Sequence, residues 1–269
     1  MKHHYKLFIT IIWGILLIVL ATACSQKHQL NNKYHLVWAD NFNGTQLDTT
    51  IWTFEHGNGH HGWGNQELEY YTGRPQNVTE KNGDLIITAQ KENYKGFHYT
   101  SARIKTQFKK DFKYGKIEAR MKLPVGQGMW PAFWLMPTNS AYGGWPKSGE
   151  IDIMEMIGKQ PSTDYGTAHF GAHQHHDKGG KIKLKKGILH DAFHTFSVEW
   201  QPKSIKWFMD GKKYYQVTPD SLKPDPWPFN KKFYIIFNLA VGGAWPGNPD
   251  STTTFPQKMI VDYVKVFQK

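Results

Sequence analysis

The chain has one cysteine, Cys24, among its 269 residues, so no disulfide bond can form within it. Helical periodicity is nearly absent beyond residue 33, and no linker, repeat or low-complexity segment follows that point. Acidic residues are also few, 22 against 33 basic ones, which leaves a formal net charge of +11. No disulfide framework or repeat array therefore organises the chain. We expect one large domain, since β-sandwiches of this length usually stay undivided.

The N-terminus has the features of an export signal. Lys2 and Lys6 form a short basic start, and the apolar run over 7–20 is too short to span a bilayer comfortably. Small residues precede Cys24 as they do in a bacterial lipobox, although Ala21 stands where leucine is more usual. This pattern predicts that the cysteine becomes lipidated and that its acyl chains hold the protein on a membrane.

These features predict three segments. Residues 1–23 form a lipoprotein signal peptide, residues 24–33 a polar tether, and residues 34–269 one folded domain. The predicted location is the bacterial cell envelope, with the exported protein anchored through Cys24 at the outer membrane or cell surface. The alternative is an ordinary secretory signal cut near Ala23, which would release a soluble secreted protein.

The positive charge favours anionic surroundings. One glycine-containing stretch is especially basic and carries Lys178, Lys181, Lys183, Lys185 and Lys186. Nucleic-acid binding would call for aromatic side chains interleaved with these lysines, and that stretch has none. We therefore expect a solvated loop or hairpin there, and no nucleic-acid partner.

Short strands with glycine and proline turns dominate the rest of the chain. Apolar side chains at 117, 119, 121 and 123 alternate with charged ones, which indicates a half-buried strand. The run over 233–239 is almost wholly apolar, as in a central strand buried on both faces. Further strands are predicted over 85–89, 196–200, 205–209 and 259–267. The fold class is therefore all-β, a jelly-roll sandwich of two antiparallel sheets with a concave substrate cleft.

Three carboxylates fall within the segment 149–155, which reads GEIDIME. Strand alternation puts Glu150 and Asp152 on one face, but it would turn Glu155 to the opposite, buried face. One extra residue, a β-bulge near Met154, would return Glu155 to the face of the other two. We predict this bulge on a middle strand of the concave sheet.

The acidic strand has a structural and a functional interpretation. A Glu-x-Asp pair on a solvated strand face is common. Here, however, no lysine or arginine in the run neutralises the acids, and Met156 and Ile157 continue the apolar pattern. The strand is therefore expected to be half buried, and burying unpaired carboxylates costs free energy of folding. A glycosidase needs such a group, since one carboxylate attacks the sugar, another donates a proton, and their mutual field separates their pKa values.

Six ordered blocks over 34–267 carry a resemblance to a known family. The chain resembles glycoside hydrolase family 16, and within it the bacterial laminarinase-like endo-β-1,3-glucanases. The blocks are 38–44 (WADNFNG), 62–71 (GWGNQELEYY), 100–104 (TSARI), 128–137 (GMWPAFWLMP), the acidic segment 149–155, and 238–247 (NLAVGGAWPG). Gln66 stands where these enzymes often carry asparagine. The bulged spacing is similar to that of laminarinases and agar-degrading relatives, whereas the lichenase branch lacks the extra residue.

The resemblance implies that residues 34–269 form a glycoside hydrolase catalytic domain, a retaining enzyme on a β-jelly roll. It implies that Glu150 is the nucleophile and Glu155 the general acid/base, with Asp152 between them to hydrogen-bond Glu150 and set how the proton is shared. Such a pair of carboxyl groups stands roughly 5–5.5 Å apart. It also implies substrate-binding positions that stack on sugar faces or read hydroxyl groups, namely Asn65, Arg103, Trp130, Trp134, Trp145, His169 and Trp245.

Several of these side chains have structural alternatives. Each tryptophan could be core packing, Trp134 above all because it lies in an apolar run. Arg103 could be an ion-pair partner of a catalytic carboxylate and lower its pKa. His169 could be a satisfied core histidine.

No cofactor is required by this chemistry. Zinc is not expected, because the histidines at 173, 175 and 176 are loop-like and lack the spacing of a metal site. The resemblance implies a structural calcium ion on the convex face, bound by the Gly83 carbonyl and by Asp262. Asn41 stands where laminarinases commonly have glutamate, which removes one charge from that site.

The function that the sequence predicts is a secreted endo-β-1,3-glucanase acting on laminarin-like glucan by double displacement. Its partners would be β-glucan and, through Cys24, a membrane, and we expect a monomer. Two alternatives stay open. One is a family relative that cuts mixed-linkage glucan or an agar-type galactan. The other is a non-catalytic glycan-binding surface lipoprotein, against which the intact acidic group speaks.

Overall fold

The computed structural model describes residues 34–269. The predicted signal peptide, the tether and the lipidated Cys24 lie outside this range. Within it, no helix is long and apolar enough to cross a membrane. Helical structure in this part of the chain is limited to a π-type turn over Gly62–Gln66 and an α-helical turn, α1, over Pro219–Leu222.

Strands make up most of the described chain. In chain order they are β1 (His35–Asp40), β2 (Thr53–Glu55), β3 (Glu69–Tyr71), β4 (Val78–Lys81), β5 (Asp84–Tyr94), β6 (Phe97–Ser101), β7 (Arg103–Lys105), β8 (Asp111–Phe112), β9 (Gly115–Lys122), β10 (Met129–Pro137), β11 (Glu150–Glu155), β12 (Thr163–Phe170), β13 (His176–Lys183), β14 (His194–Gln201), β15 (Ser204–Met209), β16 (Lys212–Val217), β17 (Phe233–Val241) and β18 (Gln257–Gln268).

The strands form two sheets that pack into a sandwich. One sheet has the order β16-β15-β14-β9-β18-β5-β6-β3, with β1 also paired to β18 and β4 to β5. The other has the order β13-β12-β11-β10-β17-β7-β2, with β8 also paired to β17. Neighbours are antiparallel apart from β3 and β6, which run parallel. Many of the neighbouring strands are distant in sequence, so long connections cross between the sheets, and the predicted all-β jelly roll is confirmed.

The core lies between the sheets and follows from side-chain alternation. On β9 the residues Ile117, Ala119 and Met121 are buried while their neighbours are half exposed, as the sequence predicts. Every residue of β17 is buried, which confirms it as a central strand covered on both faces. Each large apolar side chain removed from water contributes roughly 1.5–3 kcal/mol to folding.

Strand β11 contains the predicted bulge. Opposite β10, Glu155 pairs with Ala132 and Asp152 with Trp134, so β11 uses one more residue than its partner over this interval. The same irregularity separates Asp152 from Glu155 in the pairing with β12, whereas β10 and β17 stay in continuous register. The extra residue belongs to β11 alone, and it places Met154 in the core and Glu155 on the outer face.

The basic stretch lies at an edge. Lys178, Lys181 and Lys183 belong to β13, which ends the eight-stranded sheet and pairs only with β12 in the described sheet order. Lysines on an edge strand disfavour pairing with another chain. The segment forms the second strand of the β12–β13 hairpin, which confirms the predicted hairpin. Its positive charge helps to keep this edge from pairing with another chain.

Candidate active site

The outer face of the eight-stranded sheet carries a cleft of about 710 Å³. Its floor comes from alternate residues of β10, β11, β12 and β17, and its walls come from the loops beyond them. All ten side chains proposed as catalytic or substrate-binding line this cleft, namely Asn65, Arg103, Trp130, Trp134, Trp145, Glu150, Asp152, Glu155, His169 and Trp245. The structure therefore brings together residues as far apart in the sequence as Asn65 and Trp245.

Two tryptophan indoles anchor the outer two carboxylates. The Nε1–H of Trp145 donates a hydrogen bond to Oε2 of Glu150 over 2.8 Å. The Nε1–H of Trp130 donates to Oε1 of Glu155 over 3.0 Å. Each hydrogen bond stabilises the ionised carboxylate and fixes its orientation. The sequence indicated both tryptophans as sugar platforms but did not indicate that they hold the acids.

Asp152 is the most enclosed of the three acids, with only 3% of its surface exposed. Its carboxyl shares a hydrogen bond with that of Glu150. His169, which lies opposite Glu150 on β12, brings its Nε2 to 2.9 Å from Oδ2 of Asp152. The ring is poorly oriented for a hydrogen bond at this distance, so Oδ2 has no well-directed donor among the described residues. His169 therefore belongs to the acidic group and is not a core histidine.

Burial shifts the titration of all three acids upward. Desolvation, followed by the charge of Asp152, raises the pKa of Glu150 to about 8. Desolvation also raises the pKa of Glu155 to about 7, against the opposing effects of His169 and the Trp130 hydrogen bond. Desolvation and the charge of Glu155 raise the pKa of Asp152 well above its ordinary value. The three groups cannot all be ionised near neutral pH, so the cluster carries dissociable protons there.

Arg103 has different partners from those the sequence suggested. Its Nε donates to Oε2 of Glu55 over 2.5 Å, and Lys105 donates to the other oxygen of the same carboxylate over 2.6 Å. The interpretation of Arg103 as an ion-pair partner of a catalytic carboxylate is wrong, because Glu55 on the neighbouring strand β2 takes that place. The guanidinium instead lies between two indoles, 4.2 Å from the Trp63 ring and 4.8 Å from the Trp134 ring.

Trp134 and Trp245 both face the cleft. The Nε1–H of Trp134 donates to Oδ1 of Asn238 over 2.7 Å, so its apolar sequence neighbours do not place it in the core. Trp245 is 37% exposed and meets the ring of Trp130 edge to face at 5.5 Å. At the other end of the acidic group Trp145 is 52% exposed. Exposed indoles on both sides of the carboxylates provide apolar surfaces on which sugar rings can stack.

A buried polar network supports one wall and was missed by sequence reasoning. Asn65 donates to Oε1 of Glu67 over 3.2 Å, and the Tyr71 hydroxyl donates to Oε2 of the same carboxylate over 3.0 Å. Glu69 is fully buried and accepts the backbone N–H of Val241 over 2.6 Å, while burial and the charge of Glu67 raise its pKa well above the ordinary value. Glu67 and Glu69 in the 62–71 block could have indicated this network in the sequence. Burying a glutamate is costly unless hydrogen bonds compensate, so two glutamates in one block suggest a buried polar network.

Other lining residues were also not indicated by the sequence. They are Trp63, Ala132, Met136, Thr167, His175, Asp177 and Asn238. Most of them follow from strand pairing, which places residues of β10, β12 and β17 side by side. Trp63 could have been found in its block, where it stands beside Asn65.

The predicted calcium ligands lie on the ten-stranded sheet. Gly83 completes the tight turn between β4 and β5. Oδ2 of Asp262 accepts a hydrogen bond from Arg120 over 2.5 Å. This guanidinium would compete with Ca²⁺ for the Asp262 carboxylate, and the calcium ion stays a prediction from the sequence. No step of the chemistry below involves one.

Comparisons with known proteins agree with this geometry. Residues 65–265 match the model of the family described as Glycosyl hydrolases family 16. The chain is 42% identical over 249 residues to a beta-glucanase of Rhodothermus marinus, which covers 87% of this chain and 85% of that protein. It is 44% identical over 241 residues to the clotting factor G alpha subunit of Tachypleus tridentatus, covering 88% of this chain but only 34% of the longer protein. The crystal structure of the laminarinase catalytic domain of Thermotoga maritima MSB8 superposes with a TM-score of 0.82 at 43% identity, covering 88% of this chain and 99% of that one.

Proposed function

The chain belongs to glycosyl hydrolase family 16, and on that premise we propose that it is a retaining endo-β-1,3-glucanase that cleaves laminarin-like glucan. The observation that carries the proposal is the acidic group itself. Glu150, Asp152 and Glu155 share one face of a bulged strand, at the floor of a cleft walled by indole rings. The similar proteins include a beta-glucanase and a laminarinase, which supports the substrate class.

The reaction proceeds in two displacements. Glu150 attacks the anomeric carbon of the sugar, and Glu155 protonates the departing glycosidic oxygen, so that a glycosyl-enzyme ester forms and the leaving chain departs as an alcohol. Glu155, now ionised, then takes a proton from water, which attacks the same carbon and releases Glu150 as a carboxylate. Two inversions return the original configuration.

The proton of the Glu150–Asp152 pair resides on Asp152. A pKa of about 8 would keep Glu150 protonated at neutral pH, but part of that shift comes from a charge on Asp152. When Asp152 holds the proton, this contribution disappears and its carboxyl donates a hydrogen bond to an ionised Glu150. Asp152 is the more deeply buried of the two, and the Trp145 indole stabilises charge on Glu150 only. Glu155, with a pKa of about 7, retains its proton at neutral or slightly acidic pH.

Hydrolysis by wild type and by Glu150→Ser tests the assignment. We expect wild type to release reducing sugar from laminarin, and the variant to lose nearly all turnover while still binding glucan in affinity electrophoresis. Glu199→Ser, which changes a glutamate on the ten-stranded sheet and outside the cleft, is the matched control. Equal sugar release by wild type and Glu150→Ser would show that Glu150 is not the nucleophile. No release by wild type, with binding intact, would favour the glycan-binding lipoprotein.

Linkage and stereochemistry need separate measurements. A panel of laminarin, mixed-linkage β-glucan and agarose, with product analysis, is expected to show the highest kcat/KM on laminarin. Faster cleavage of agarose would identify a galactan-cutting relative. Proton NMR during the first minutes of hydrolysis is expected to show the β-anomer first, whereas immediate α-anomer would refute retention.

We further propose that the protein is exported and lipid-anchored as a monomer. The sequence supports this through the basic start, the apolar run over 7–20 and the small residues before Cys24. Mass spectrometry of the mature N-terminus is expected to find diacylglycerol on this cysteine. Globomycin is expected to block removal of the signal peptide. An unmodified N-terminus at or near Cys24 would indicate the soluble secreted form.

A further inference from the structure

Two histidines and an aspartate meet at the edge of the cleft beside Trp145. His169 on β12 pairs directly with Asp177 on β13, and His175 lies just before β13. Nδ1 of His169 and Nε2 of His175 are 2.8 Å apart, with their rings stacked at a centroid distance of 5.0 Å. One donor atom from each of the three residues lies within 4.8 Å of the other two.

From this arrangement we propose that His169, His175 and Asp177 form a binding site for a divalent transition metal such as Zn²⁺, which acts as an inhibitor of the enzyme. Two imidazole nitrogens and a carboxylate are a donor set that Zn²⁺ takes in tetrahedral sites, with water in the fourth position. The rings need only exchange their mutual hydrogen bond for bonds to the metal. Sequence spacing did not reveal the site, because strand pairing brings His169 to Asp177.

The surroundings favour a metal-ready state. The Trp145 ring contacts that of His175 at a centroid distance of 4.6 Å, with the two planes tilted by 37°, and this contact limits the freedom of the imidazole. His175 and Asp177 are exposed, which leaves an open path for the ion.

Inhibition follows from the shared residue His169. A metal on Nδ1 fixes the ring proton on Nε2, the nitrogen that stands 2.9 Å from Oδ2 of Asp152. The dication also adds positive charge beside Glu150 and occupies cleft surface that a glucan chain would contact. An ion at this place therefore hinders glucan binding next to the catalytic acids.

Calorimetric titration of the full chain with ZnCl₂ in chelator-free buffer tests the site without reference to hydrolysis. We expect a Zn²⁺ isotherm that weakens by at least about tenfold in His175→Gln and in Asp177→Asn, since each removes a ligand. His173→Gln, an exposed histidine of the same loop outside the cluster, is the matched control and is expected to bind as wild type does. MgCl₂ is expected to give no binding at this site, because Mg²⁺ prefers oxygen ligands.

The titration has clear contrary outcomes. Zn²⁺ binding that is equal in wild type, His175→Gln and Asp177→Asn would overturn the proposal, and would place any ion on Glu150, Asp152 and His169 or elsewhere. Inhibition is then measured on laminarin against each variant's own metal-free rate, with a rise of about tenfold in the half-inhibitory Zn²⁺ concentration expected for His175→Gln. The inhibitory part rests on the proposed glucanase activity, whereas the binding part does not, so the two can fail separately.

Discussion

Trp207, on the ten-stranded sheet, donates its indole N–H across the core to the backbone carbonyl of Asp152, 2.7 Å away. The carbonyl lies at the β11 bulge, where an extra residue interrupts the ladder and backbone groups lose their regular partners. Gly166 on β12 makes the approach possible, because a Cβ there would lie 2.2 Å from the Trp207 ring. The bulge that aligns the acids is thus supported from the opposite sheet.

Trp207→Phe is expected to reduce both stability and turnover. It leaves the Asp152 carbonyl buried and unpaired, which costs roughly 1–3 kcal/mol, and it loosens the bulge that aims Glu155. Urea denaturation and kcat on laminarin measure the two effects. Trp200→Phe is the matched control, because Trp200 is equally buried and donates to the Phe229 carbonyl away from the cleft. Equal kcat losses in the two variants would show that Trp207 has no particular role in positioning the acids.

Trp130→Phe is expected to extend activity to higher pH. Glu155 must be protonated to act as the acid, so kcat/KM falls as pH rises through its pKa of about 7. The Trp130 hydrogen bond favours the ionised form, and its loss raises the pKa and moves the alkaline limb upward by about one pH unit. Trp245→Phe, which changes a cleft indole without a carboxylate partner, should leave the limb in place. An unmoved limb in Trp130→Phe would assign it to another group.

The predictable part of the fold came from periodicity. The alternation on β9, the continuous apolar run of β17 and the broken alternation at Glu155 each specify a face without knowledge of neighbours. The bulge could be predicted because one extra residue in the strand is enough to put all three carboxylates on the same face. Family resemblance then indicated the ten cleft residues that the structure brings together.

The unpredicted part depends on which strands become neighbours. Arg103 meets Glu55 because β7 pairs with β2, a pairing across 48 residues that no local pattern records. His169 meets Asp177 through the register of the β12–β13 hairpin, which the sequence pattern does not specify either. The core-packing alternative for Trp134 fails because β10 alternates between core and cleft, which the apolar run around this residue does not reveal.

Arg103→Lys is expected to raise KM on laminarin more than it lowers kcat. The planar guanidinium lies between the Trp63 and Trp134 indoles, and an ammonium group keeps the charge but cannot stack on both. The indoles lose a common support, and substrate affinity should fall about fivefold to tenfold if roughly 1 kcal/mol of cation–π interaction is lost. Lys105→Arg is the matched control, since it also contacts Glu55 but touches neither ring. A pure kcat loss with unchanged KM would place Arg103 in the chemical step.

Asp164→Asn is expected to make stability less dependent on pH. Asp164 is fully buried between the sheets near Tyr214, and neither carboxyl oxygen has a well-directed hydrogen bond among the described residues. Desolvation raises its pKa well above the ordinary 3.8, so the folded state binds a proton that the unfolded chain releases. Stability from this proton is complete below pH 3.8 and is lost as pH rises toward the folded-state pKa.

Asparagine cannot ionise, so this pH-dependent loss is absent from Asp164→Asn. The free energy of unfolding of the variant minus that of wild type should therefore increase by up to about 1.4 kcal/mol per pH unit above pH 4. Urea denaturation of both proteins at pH 5, 6 and 7 measures this difference. Other buried acids with raised pKa values, such as Glu69, are present in both proteins and cancel. A difference that stays constant between pH 5 and pH 7 would mean that Asp164 is ionised in the folded protein over this range, and would contradict the prediction.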